Sequence, residues 1–171
     1  MSKKLWILPI VFVMGAIGVT VAVAAGTRPG EGDALAGVRA ATAKYHDIQA
    51  ALDDGYLMPP DCVSSPAGGM GFHLIKPALF ANPALDESQP EALLYVPSGN
   101  KLRLVAVEWL YAYGPNDPGP NAVVPSLFGT RFDGPMPGHF PGMPWHSELH
   151  AWVWQANPTG VFMPWNPKVS C

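Results

Sequence analysis

Charge is scarce in this chain of 171 residues: Asp, Glu, Lys and Arg make up 13% of it, against 49% apolar residues. That poverty excludes a disordered charged tail and leaves enough apolar material for one core. Positive charge is scarcest. Lys3 and Lys4 are two of the ten basic residues, and beyond them eight basic residues face thirteen acidic ones, a net charge of −5. No basic stripe survives, which argues against a nucleic-acid partner. Cysteine is limited to Cys62 and Cys171. None follows the N-terminal apolar run directly, so a bacterial lipoprotein anchor is excluded. No internal repeat is present, so the chain does not read as a repeat array.

What the chain does contain begins with an export pattern. Lys3 and Lys4 precede an apolar run from Leu5 to Ala25 that closes in the small residues AVAAG. Residues 1–25 therefore read as a signal peptide. Cleavage after Ala24 or Ala25 would leave about 146 residues, one domain on the usual length prior. The alternative is a retained membrane anchor, because about 21 apolar residues suffice to span a bilayer. Pro9 and the glycines weaken a permanent helix, and the small-residue end favours cleavage. The expected location is periplasmic or extracellular, with membrane contact only if the segment is retained. In an oxidising compartment Cys62 and Cys171 read as one disulfide. Closing so long a loop contributes roughly 4–5 kcal/mol on the loop-entropy model. The other possibility is that the thiols bind metal.

Residues 26–32 read as a flexible leader and 33–171 as a single globular domain. Asp33 is placed to cap a helix running to about Asp54, with Gly55 as its stop. Leu35, Val38, Thr42, Tyr45, Gln49, Leu52 and Tyr56 form its buried stripe, centred on Val38, Tyr45 and Leu52. His46 lies at the stripe's edge and reads as water-facing. Met58 to Gly71 reads as loop. Strands are expected at Phe72–Ile75, carrying His73, at Pro90–Val96 and at Lys101–Ala112, the last two joined as a hairpin through Ser98–Asn100. In the long strand Leu102, Leu104, Ala106 and Leu110 should share one face, and Val105, Val107, Trp109 and Tyr111 the other. Both faces are apolar, so the strand should be buried on both sides. Tyr113–Trp145 holds eight prolines and six glycines in 33 residues. Its many apolar side chains point to an ordered covering lid. Strands should follow at Trp145–Trp154 and Val161–Trp165. The expected fold is α+β: one N-terminal amphipathic helix on a mainly antiparallel sheet, with a long Pro/Gly-rich covering loop.

Chemistry concentrates in one place. His139, His146 and His150 fall within twelve residues, and Glu148 lies between the last two. Imidazoles and a carboxylate are ligands favoured by zinc, copper and non-haem iron. As a strand, HSELH puts His146, Glu148 and His150 on one face. Neighbours two apart are then roughly 6.5–7 Å apart and suit one ion, whereas His146 and His150, about 13 Å apart, do not. The remaining ligands must come from elsewhere, and His73 and Glu108 are the best-placed donors. Read as a helical turn instead, HSELH would put His146 and His150 on one face. The AWVW continuation favours a strand. Glu108 interrupts an apolar face and needs a partner, either Arg103 or Arg131 or a metal. Met136, His139 and Met143 form a softer set that suits cuprous copper or merely fills the loop. Met70 near His73 has the same ambiguity. Trp145, Trp152, Trp154 and Trp165 read as core, or as a stacking platform for sugars. Glu108 and Glu148 are a less favoured glycosidase pair.

The segments GFHLIKPAL, PEALLY, LRLVAVEW, FDGPMPGH, PWHSELHAWVWQANPTGVF and WNPKVSC, with the helix YHDIQAALDDGY, cover most of the mature chain. As a set they resemble a family of small exported bacterial proteins. The resemblance implies export; it brings no activity and transfers no functional residue. The function expected from the residues themselves is binding of a single transition-metal ion (zinc, copper or iron) by His73, Glu108, His146, Glu148 and His150. The rivals are a metal-free carbohydrate- or ligand-binding module and a cell-envelope structural protein.

Overall fold

The computed structural model describes residues 31–59 and 61–171. The expected signal segment, and the leader up to residue 30, lie outside the described residues. Helix α1, Glu31–Thr42, starts within the expected leader, two residues before Asp33. A 3₁₀ turn, Ala43–His46, and a short helix α2, Ile48–Asp53, follow. The single helix expected to Asp54 is therefore broken. Asp47 is extended and its side chain accepts from the Gln49 N–H, capping a new helix start. This restart shifts the buried stripe, so Ala51 is buried and Leu52 is 37% exposed. Leu35, Val38 and Tyr45 are buried as the spacing predicts.

Strands β1 (Val63–Ser65), β2 (Gly68–Ile75), β3 (Ala92–Ser98) and β4 (Lys101–Gly114) follow, with helix α3 (Pro77–Phe80) between β2 and β3. A two-residue pair, β5 (Ser126–Leu127) and β6 (Thr130–Arg131), leads to β7 (Asp133–Met136) and β8 (Trp145–Ala151). Six strands form one antiparallel sheet in the order β1-β2-β3-β4-β8-β7. The expected hairpin is β3–β4. The region expected as loop to Gly71 instead supplies β1 and the start of β2. The lid is not a plain loop, because it supplies β5, β6 and the edge strand β7. The expected strand Val161–Trp165 does not form. Pro164 and Pro167 lack the donor a ladder needs, and only Asn166 bridges, to Gly69.

The sheet has two apolar faces. On the helix side, Leu74, Leu93, Tyr95, Val107, Trp109 and Leu149 pack with the residues of α1 and α2. On the other side lie Met70, Leu94, Ala106, Leu110 and Trp152. Burying such side chains contributes about 1.5–3 kcal/mol each. The expected division of β4 is corrected by a bulge. Leu94 faces Ala106 but Tyr95 faces Leu104, so Val105 is an extra residue. Leu102 and Leu104 consequently join Val107, Trp109 and Tyr111 on the helix side, whereas Val105, Ala106 and Leu110 lie opposite. The Val105 carbonyl, released from the ladder, accepts from Trp154 and Gln155 N–H at 3.1 Å each. That turn ends β8 at Ala151, short of the expected Trp154. Cys62 and Cys171 form the expected disulfide across 109 residues.

Candidate metal centre

The bulge and the pleat together set the chemistry on the face turned away from α1 and α2. β2 supplies His73, β4 supplies Glu108, and β8 supplies His146, Glu148 and His150; HSELH is a strand, not a helical turn. Register decides which of them meet. Glu108 stands directly opposite His150, and Leu110 opposite Glu148. β3 separates β2 from β4, and there Ala92 pairs with both Ile75 and Glu108. This small side chain leaves room for His73 and Glu108 to reach toward each other over the strand.

Two groups result. In the first, His73, Glu108 and His150 each offer a donor atom, all within 4.8 Å of one another. His150 Nε2 is 3.3 Å from Glu108 Oε1, and His73 Nε2 is 3.8 Å from Glu108 Oε2. In the second, His139, His146 and Glu148 meet the same criterion, with His146 Nε2 3.3 Å from Glu148 Oε2. The five residues expected to converge are thus divided. His146 and His150 are too far apart along β8, and Glu148 joins His146. His139, expected with Met136 and Met143 as either a softer ligand set or loop filler, belongs to the second group. His46 is exposed and meets the edge of the Trp154 ring.

Glu108 is 2% exposed, and among the described residues the basic side chains nearest its carboxyl are His73 and His150, not the expected arginines. Arg103 instead reaches Gln155 at 2.5 Å. Burial and the neighbouring Glu148 carboxylate push the Glu108 carboxyl well above its usual range. Burial also acts to raise Glu148, but the His146 hydrogen bond and the charges of His150 and His139 outweigh it and hold Glu148 at about 2. Burial lowers His73 to about 3, and it lowers His150 as well. Both imidazoles are therefore neutral at physiological pH, the form that ligates metal. Asp133 pairs in register with Glu148 and is raised by burial and by that carboxylate. Sequence spacing carries no signal for Asp133.

The donors fit a cation. His150 is 1% exposed, and among the described residues neither of its ring nitrogens has a hydrogen-bond partner. Buried polar atoms are seldom left so. An ion with tetrahedral bonds of 2.0–2.1 Å spaces its ligands about 3.3–3.4 Å apart. The 3.3 Å His150–Glu108 separation matches that edge. A cavity of about 1130 Å³ opens on His73, Glu108 and Glu148 and is walled by Met70, Leu110 and Trp165. One side of the first group is therefore accessible to a small molecule.

The other expected sites differ. Trp152 is buried and its indole N–H donates to Met163 O, while Trp154 donates to Thr42 Oγ1 on α1. Trp152 is a core residue and Trp154 is half-buried against the helix-side core, so the two do not form an exposed platform. Met70 is 6% exposed and packs with the second apolar cluster. No family model, curated protein or solved structure matches the chain.

Proposed function

We propose that this protein is an exported domain that binds a transition-metal ion through His73, Glu108 and His150. The observation that carries this reading is His150, a buried imidazole with both nitrogens unpaired beside a buried carboxylate. Two imidazoles and one carboxylate suit zinc, copper or iron and leave coordination positions open. The cavity gives those positions access. Zinc held there would supply Lewis-acid chemistry for hydrolysis, whereas copper or iron would supply redox chemistry or metal handling. Export is supported by the N-terminal pattern and by the Cys62–Cys171 disulfide. Among the described residues no helix is long and apolar enough to cross a membrane.

The test is elemental analysis of untagged protein from the exported fraction, followed by zinc titration of the demetallated form. Wild type should carry or take up stoichiometric metal. His150→Ala should weaken zinc binding by at least about 100-fold, since even outer-shell substitutions cost 10–100-fold. A folded wild type that binds no metal would overturn the reading.

A further inference from the structure

We infer that the lid end of the sheet forms a second and softer metal position, built from His139, His146, Glu148 and the Met136 thioether, which takes cuprous copper. It shares no ligand with the first position and does not rest on it. His146 is fully buried, and its Nδ1 lies 3.2 Å from the Pro144 carbonyl, which can only accept. A neutral imidazole has one N–H; donated to Pro144, it leaves Nε2 bare toward Glu148 Oε2 at 3.3 Å. Both partners of His146 accept only, so the ring needs either a second proton or a metal ion to hold both contacts.

The lid supplies the remaining donors. His139 Nε2 lies 3.3 Å from Met136 Sδ, and the His139 and His146 ring centroids are 4.7 Å apart. The His139 backbone N–H donates to Met143 Sδ at 3.4 Å, which fixes the turn and occupies that second sulfur. Met143 is therefore a positioning residue and Met136 the ligand. Gly138 makes the turn possible, because a Cβ there would overlap the Met143 carbonyl. The thioether separates this group from the first. Sulfur of this kind prefers cuprous copper, and imidazole also suits copper. Glu148 Oε1 is 4.0 Å from His150 Nδ1, so its carboxylate stands between the two positions.

The experiment is an anaerobic titration of the demetallated protein with cuprous ion against a chromophoric cuprous chelator, run beside the zinc titration. Met136→Leu conserves volume and should keep the fold, which circular dichroism checks. Met136→Leu and His139→Ala should each weaken cuprous binding at least tenfold and leave zinc uptake unchanged. His150→Ala should show the reverse. Copper-edge absorption should show a sulfur neighbour in wild type that Met136→Leu removes. Cuprous affinity unchanged in folded Met136→Leu and His139→Ala, or a copper shell without sulfur, would overturn the second position. Zinc uptake without cuprous uptake overturns the second position alone; uptake of neither metal overturns both readings.

Discussion

His150 is a poor residue for a metal-free core and a good one for a ligand. Each buried polar atom left unpaired costs about 1–3 kcal/mol. His150→Leu removes both unpaired nitrogens at similar volume. Metal-free His150→Leu should therefore be about 1–2 kcal/mol more stable than metal-free wild type in urea unfolding, while losing zinc binding. A variant less stable than wild type would mean that the ring is held by something other than an ion. Glu91 shows a different burden. It is 1% exposed, accepts from the Leu110 N–H at 3.1 Å, and is raised by burial from 4.5 to about 7. Between those values the folded protein holds a proton that the unfolded chain has released. Stability therefore falls as pH rises from about 4.5 to about 7, by an amount on the order of 3 kcal/mol. Glu91→Gln keeps the acceptor and removes the charge. Its advantage over wild type should be small at pH 4.5 and largest above pH 7. An advantage that does not grow with pH would contradict the assignment.

At the scale of elements, the edge strand β7 depends on close backbone approach. Gly134 has φ +105°, and a Cβ there would meet His146 O and Ser147 Oγ at 2.9 Å. Gly134→Ala should cost on the order of 1–3 kcal/mol for the strained backbone, read as a lowered Tm. An unchanged Tm would mean that β7 does not press on β8 as described. Apolar, β-prone runs bounded by turns made β2, β3, β4 and β8 legible in the sequence, and the two-residue period put His146, Glu148 and His150 on one face. Spacing alone also separated His146 from His150. Three local events were not legible. Asp47 interrupts the helix by a capping contact that a wheel does not show. The Val105 bulge carries no glycine to announce it, yet it exchanges the faces of half of β4. Glu108 finds histidines across the strands because the register, which spacing does not specify, sets His150 opposite it. For the same reason Glu91 and Asp133 went unnoticed, since neither belongs to a spaced motif.

In the described residues the sheet carries α1 and α2 on one face and the donors, the cavity and α3 on the other, while the lid packs Leu127 and Phe132 on the helix side and Met143 on the donor side. The Cys62–Cys171 bond ties the C-terminus to the residue before β1. Cys171→Ser should lower stability by roughly 4–5 kcal/mol. Metal stoichiometry should not change in the folded variant, because the donors of both groups lie elsewhere. Metal loss from folded Cys171→Ser would assign the thiols a ligand role. Buried clusters on both faces hold the sheet, with Tyr95 and Trp109 on the helix side and Leu94 and Leu110 on the donor side.

Anomalous diffraction at the zinc edge, from crystals of the zinc-loaded protein, locates the ion itself. We expect the peak within about 2.0–2.2 Å of His73 Nε2, a Glu108 carboxylate oxygen and His150 Nε2. Zinc density confined to the protein surface, with these three side chains in place and uncoordinated, would contradict the central claim.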